Sequence, residues 1–213
     1  MKTFATISGA LGLALLSTTA QAAAISGIGG TAGVLGGSVT TIDFESATLG
    51  DAPSYSESGV TFTGVGADLT IGNAFAGSFN TTGQSLENGF DEVPDAFEIA
   101  FGTSTSGFAF TWGASDNDWR MEVFDSSNSL IGSQIMGAVF SSNDGNYFGW
   151  TGTDISSVIL TDLKTTIASG DYVFIDDFVF GGSVTAPVPL PAGLPLLALG
   201  LAGLGVLRAR KSA

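Results

Sequence analysis

The sequence predicts an all-β domain, an antiparallel β-sandwich, set between two hydrophobic ends. Three observations predict it. Charged residues make up only 12% of the 213 residues while glycine occurs 31 times, a mix that favours turns over long charged helices. About ten short runs of β-branched, aromatic and aliphatic residues follow one another, separated by turn clusters. No stretch of the interior keeps a helical period.

The runs are taken in order. Val39–Glu45 places Ile42 and Phe44 on one face and Asp43 and Glu45 on the other. Val60–Thr63 and Leu69–Ile71 are short and rich in β-branched residues. In Phe97–Phe101 the residues Phe97, Ile99 and Phe101 share a face, and in Phe108–Trp112 the residues Phe108, Phe110 and Trp112 do the same. Trp119–Asp125 runs into the turn signal Asp125-Ser126-Ser127-Asn128, and Leu130–Met136 follows it. Asn143-Asp144-Gly145-Asn146 introduces Tyr147–Thr151, then comes Ser157–Thr161, and Gly170-Asp171 introduces Tyr172–Phe180. Residues 39–182 form the expected sandwich domain, preceded by a Gly-rich, nearly uncharged leader at 23–38 and followed by a short linker at 183–187.

The two ends carry an address. Lys2 opens a positive start, Phe4 to Leu16 is apolar, and Ala20-Gln21-Ala22 is a small-x-small site. Residues 1–22 therefore read as a secretory signal peptide cut after Ala22 by signal peptidase, the apolar run being short for a membrane anchor. At the other end Val188-Pro189-Leu190-Pro191-Ala192 leads an uncharged stretch from Gly193 to Leu207, closed by Arg208, Arg210 and Lys211. From Val188 that stretch has about 20 residues, or ~30 Å as a helix, enough to cross a bilayer core. The basic stop holds the chain end on the cytoplasmic side and turns the domain outward.

Composition closes off several functions. With no cysteine and no histidine, the chain can hold no disulfide, no Cys or His metal site, no Cys nucleophile and no Ser-His-Asp triad. Between the two ends stand only Arg120 and Lys164 against all 20 acidic residues, a balance of −18. Such a surface repels phosphate backbones, so nucleic acid is not an expected partner. No nucleophile motif and no phosphate-binding glycine loop is present.

Val188 to Ala192, the hydrophobic helix and the basic cluster together resemble the VPLPA-CTERM form of the PEP-CTERM sorting domain, over residues 188–213. The resemblance implies that an exosortase reads the tail. It also implies an inner-membrane intermediate and a final place at the cell surface or in an exopolysaccharide matrix. A permanent single-span anchor is the alternative. In the interior, Ile42-Asp43-Phe44-Glu45, Gly59-Val60-Thr61-Phe62, Val123-Phe124-Asp125 and Phe174-Ile175-Asp176-Asp177-Phe178 come in an order similar to that of the jelly-roll ectodomains joined to such tails. The fold this implies is a jelly-roll-like sandwich, and fold alone does not set function.

Candidate chemistry centres on Asp176 and Asp177. Alternation puts one with Phe174 and Phe178 and the other with Val173, Ile175 and Val179, so at least one carboxylate lies near the core and requires a cation or N–H donors. If the first and last strands are neighbours, Asp43 and Glu45 join them. Such a group of oxygens suits a structural Ca²⁺, which accepts 6–8 of them in irregular geometry. Asp116-Asn117-Asp118 and Asn143-Asp144-Gly145-Asn146 also offer oxygens, but ordinary turn chemistry accounts for both. Trp119 and Trp150, each beside a polar loop, are the candidates for stacking on a glycan, with burial in the core as the alternative. The expected function is that of a non-enzymatic surface or matrix protein. A carbohydrate-binding module for extracellular polysaccharide is the alternative, and a glycan hydrolase or lyase stands third.

Overall fold

The computed structural model describes residues 22–88, 96–164 and 171–181. The expected signal peptide up to residue 21, the expected linker, Val188 to Ala192 and the basic residues Arg208, Arg210 and Lys211 lie outside the described residues. Every regular element among those residues is a strand. In chain order they are β1 (Ala23–Gly27), β2 (Val39–Ile42), β3 (Gly50–Ala52), β4 (Ser54–Glu57), β5 (Val60–Val65) and β6 (Leu69–Gly72). Then follow β7 (Ser85–Asn88), β8 (Ala96–Gly113), β9 (Trp119–Asp125), β10 (Leu130–Met136), β11 (Tyr147–Asp162) and β12 (Phe174–Gly181).

All pairings are antiparallel, and two long strands belong to both layers. The first layer runs β4-β5-β8-β11-β9-β10, using Ala96 to Phe101 of β8 and Ile155 to Asp162 of β11. The second runs β1-β11-β8-β12-β7-β6-β3, using Tyr147 to Thr151 of β11 and Gly107 to Gly113 of β8. β2 pairs with β12 beyond the end of β7, along Phe178 to Gly181.

The passage between layers is visible as a change of parity. In β8 the residues that face the main core are odd from Phe97 to Phe101 and even from Phe108 to Trp112, with Ala109 buried on the other face. In β11 the register shifts twice between Thr151 and Ser157, and Asp154 takes a φ of 61°. Such irregularities add local bend and twist, which lets one strand serve two sheets. The sequence reading divides β8 and β11 in two at these corners, since the polar stretch from Gly102 to Gly107 resembles a loop.

The core fills the space between the layers. Phe62, Ile99, Met121 and Leu160 of the first layer face Phe108, Phe110, Trp112 and Phe178 of the second. Phe178 meets Phe62 edge-on at 5.1 Å, and Trp112 meets Trp119 edge-on at 5.3 Å. T-shaped pairs of this kind add to the burial of the rings themselves.

The leader is part of the domain. Ala23–Gly27 pairs with Tyr147 to Thr151 of β11 as β1, and the segment behind it lies over the outer face of the second layer. There Val34 and Leu35 pack with Ala109 and Val179, and Thr31 Oγ1 donates to the Asp177 carbonyl at 2.8 Å. High glycine content gives no alternation to read, so these contacts have no signature in composition.

Candidate functional site

β12 brings the predicted carboxylates to the second layer. Asp177 has a φ of 45°, and the register against β8 shifts between Asp176 and Val179, so a bulge sits at this point. The bulge separates Phe174 from Phe178, which simple alternation puts on one face. Phe178 enters the core, whereas Phe174 and Asp176 turn to the outer face, beneath the loop at 73–84.

Asp176 is 1% exposed. Its Oδ2 accepts from Thr82 N at 2.8 Å and Thr82 Oγ1 at 3.2 Å, and its Oδ1 accepts from Asp177 N at 2.7 Å. Burial nevertheless pushes its carboxyl up to about 7, because three donors do not replace full hydration. The Thr111 hydroxyl, which stands opposite Asp176 in the β8 register, is buried without a partner.

The expected neighbourhood of the first and last strands holds. β2 pairs with β12, with Ile42 opposite Phe178, and continuing that register sets Asp43 beside Asp177. The Asp177 carboxyl is raised first by burial and then by the charges of Asp43 and Glu45. N–H donors reach these groups as well. Asp43 Oδ1 accepts from Glu45 N at 3.2 Å, and Glu45 Oε1 accepts from Gln84 N at 2.8 Å. Gly83 has a φ of 108°, and a Cβ there would overlap the Glu45 carboxylate, so this contact needs glycine. Among the described residues no group of three or more acidic side chains is arranged to hold a metal ion. For Asp176, backbone donors fill the role for which the sequence also allowed a cation.

Neither predicted glycan-stacking ring faces solvent. Trp119 is fully buried and donates its indole N–H to Asp171 Oδ2 at 2.8 Å. Trp150 is 5% exposed, and its ring lies so close to β10 that a Cβ on Gly132 would overlap it. Both fill the ends of the sandwich, and a ring with both faces packed cannot stack on a sugar. This corrects the expectation for both residues.

A different aromatic group does reach the surface. Phe75 and Phe79, on the loop between β6 and β7, join Tyr172 and Phe174 outside the main core. Tyr172 and Phe174 meet at 4.9 Å, Phe75 and Phe174 at 5.3 Å, and Phe75 and Tyr172 at 5.8 Å. Phe79 stacks on Phe174 at 5.8 Å. Phe75 is 37% exposed. Beneath the rings the Tyr172 hydroxyl donates to Glu87 Oε2, and burial holds the Glu87 carboxyl above its ordinary range.

The loop that carries Phe75 is well tied. Thr81 Oγ1 donates to the Phe75 carbonyl at 2.8 Å, and Gly77 N donates to the Thr81 carbonyl at 3.0 Å. Asn80 Nδ2 donates to the Trp112 carbonyl at 2.8 Å, Asn80 N donates to Asn143 Oδ1 at 2.9 Å, and Gly145 N donates to Asn80 Oδ1 at 2.8 Å. Asn143 Oδ1 and Gly145 N of the Asn143–Asn146 turn thus serve to dock this loop. Phe75 and Phe79 belong to no alternating run, and only their spacing of four in a Gly- and Ala-rich stretch marks them in the sequence.

A separate cavity of about 240 Å³ lies between β3, β4 and β6, lined by Leu49, Asp51, Tyr55, Leu69 and Ile71. It is below the range of about 300–1,000 Å³ usual for small-molecule sites.

No family model matches the chain, and no curated protein does. Solved structures of carbohydrate-binding modules are similar to it at low identity. A mutant of the family 29 module CBM29-2 gives a TM-score of 0.44 at 13% identity, over 72% of this chain and 100% of that one. CBM29_1 from Piromyces equi gives 0.41 at 10% identity, over 67% of this chain and 90% of that one. The low-affinity xylan-binding module CBM86 from Roseburia intestinalis gives 0.40 at 10%, over 70% of this chain and 99% of that one.

Proposed function

We propose that the chain is an exported, non-catalytic protein of the cell surface or exopolysaccharide matrix, whose sandwich binds extracellular polysaccharide. One observation carries the binding part. The Phe75 ring stands exposed on a tied loop, backed by Tyr172 and Phe174, with Glu87 buried beneath and bonded to the Tyr172 hydroxyl. An exposed aromatic face on a rigid support is the chemistry that stacks on the apolar C–H face of a sugar. With −18 on the interior of the chain, neutral polymers fit better than anionic ones.

Delivery rests on the two ends. The signal peptide passes the chain to the secretion machinery, and the Val188 to Ala192 motif with its helix and basic stop is handled by an exosortase at the membrane.

The test of binding is a glycan array and polysaccharide titration with wild type and Phe75→Ala. Wild type binds a neutral polysaccharide without shortening it. Phe75→Ala weakens that binding by about 1–3 kcal/mol while leaving the fold intact, since the ring is outside the core. Equal binding by the two proteins, or no polysaccharide bound by wild type, sinks the reading.

A further inference from the structure

The opposite use of carboxylates occurs at the β8–β9 end of the sandwich. Val158, Leu160 and Asp162 alternate onto the inner face of β11, and Asp162 stands opposite Trp119 in the register with β9. Asp162 is 3% exposed. Its Oδ1 accepts from Lys164 N at 2.8 Å, but its Oδ2 is buried with no hydrogen-bond partner. Such an oxygen is costly to leave bare, and a proton placed on it would still need an acceptor.

A second buried carboxylate, Asp171, accepts the indole N–H of that tryptophan and lies close enough to Asp162 to feel its charge. Asp171 Oδ2 accepts from Trp119 Nε1 at 2.8 Å and Asn117 N at 3.2 Å, and its Oδ1 accepts from Asp116 N at 2.8 Å. Those donors favour the charged form, while burial first and the Asp162 charge last act to raise the carboxyl. Leu163 N donates to the Asp118 carbonyl at 3.0 Å, which ties the end of β11 to the loop at 116–118. Asn117 has a buried amide nitrogen without a partner, and turning the amide over would present its oxygen instead.

We propose that a divalent cation of the Ca²⁺ type binds at this end of the sandwich, with Asp162 Oδ2 and Asp171 as its charged ligands and oxygens of the 116–118 loop completing the shell. The donor set is all oxygen, which suits Ca²⁺ and not zinc in a chain without His or Cys. The acidic interior of the chain raises the local cation concentration. The site is distinct from the Asp43, Glu45, Asp176 and Asp177 neighbourhood, where no buried carboxylate oxygen is left without a partner as Asp162 Oδ2 is.

Terbium luminescence tests this, because Tb³⁺ takes Ca²⁺ ligands and emits when a tryptophan close by is excited. The chelator-stripped chain is titrated with Tb³⁺ under tryptophan excitation. The expected result is saturable emission that Ca²⁺ displaces, lost in Asp162→Asn and kept in Asp43→Asn. Amide exchange of the wild type with and without Ca²⁺ needs no variant to fold. Protection is expected at 116–119 and 162–164. No saturable emission, emission that survives Asp162→Asn and disappears in Asp43→Asn, or protection confined to 43–45 and 176–177 overturns the proposal.

Discussion

Asp176 makes the pH dependence of stability calculable. Burial moves its carboxyl from 3.8 in the ordinary chain to about 7 in the folded protein. The folded state therefore keeps a proton that the unfolded chain releases across that interval. Stability is full below about pH 4, falls as pH rises towards 7, and is level above it. At 1.36 kcal/mol per unit, three units amount to about 4 kcal/mol, an upper figure for one group. Glu87, Asp171 and Asp177 are raised by burial too and act in the same direction. Asp176→Asn removes the charge but keeps an oxygen for Thr82 N. Its amide N–H₂ then faces either Asp177 N, a lost bond of about 1 kcal/mol, or the unpartnered Thr111 hydroxyl. Urea unfolding at pH 5, 6, 7 and 8 measures the outcome. Wild type should lose stability from pH 5 to 7 and level off towards pH 8, and the variant should lose about 2–3 kcal/mol less, so that it is the more stable protein at pH 8. Parallel losses in the two proteins would refute the assignment to Asp176.

Two further outcomes follow from packing and from the chain ends. Phe178→Ala empties the centre of the core, where Phe62, Phe101, Phe108 and Phe110 all meet the ring, and should cost about 3–5 kcal/mol in chemical unfolding. A loss below 1 kcal/mol would show that Phe178 is not between the layers. Intact-mass measurement of the surface form should show neither the residues before Ala23 nor the Arg208–Ala213 peptide, whereas an anchored protein retains that peptide.

The strands were legible because each side of a half-buried sheet imposes alternation. All ten runs read from the sequence coincide with strands at least in part, β2 stopping at Ile42 and β12 starting at Phe174, and β9 and β10 begin and end where the turn signals place them. The missed strands lack that imprint for identifiable reasons. β3 and β4 are three and four residues long with exposed positions, so no buried face patterns them. β7 is buried at all four positions as Ser85-Leu86-Glu87-Asn88, because both of its faces are covered and its polar groups are bonded within. β1 is Ala- and Gly-rich, and what holds it is main-chain pairing to β11, which is independent of side-chain type.

The site was harder to read because it depends on which face a residue takes after an irregularity. One bulge at Asp177 decides that Asp176 lies under the 73–84 loop and not beside Phe178. No rule of period two carries across such a point. The tryptophans show the same limit from the other side. Their polar neighbours in sequence suggested exposure, but Asp171 reaches Trp119 from 52 positions away and turns a polar loop into a buried partner. The exposed rings are instead Phe140 and Phe75, the second flanked by Gly, Ala and Ser residues too small to cover it. A domain that draws on 15 of the chain's 16 phenylalanines has enough apolar area to bury every tryptophan. Large rings are then drawn inward first, since they remove most surface from water, and Phe75 stays partly outside because a tied loop holds it there.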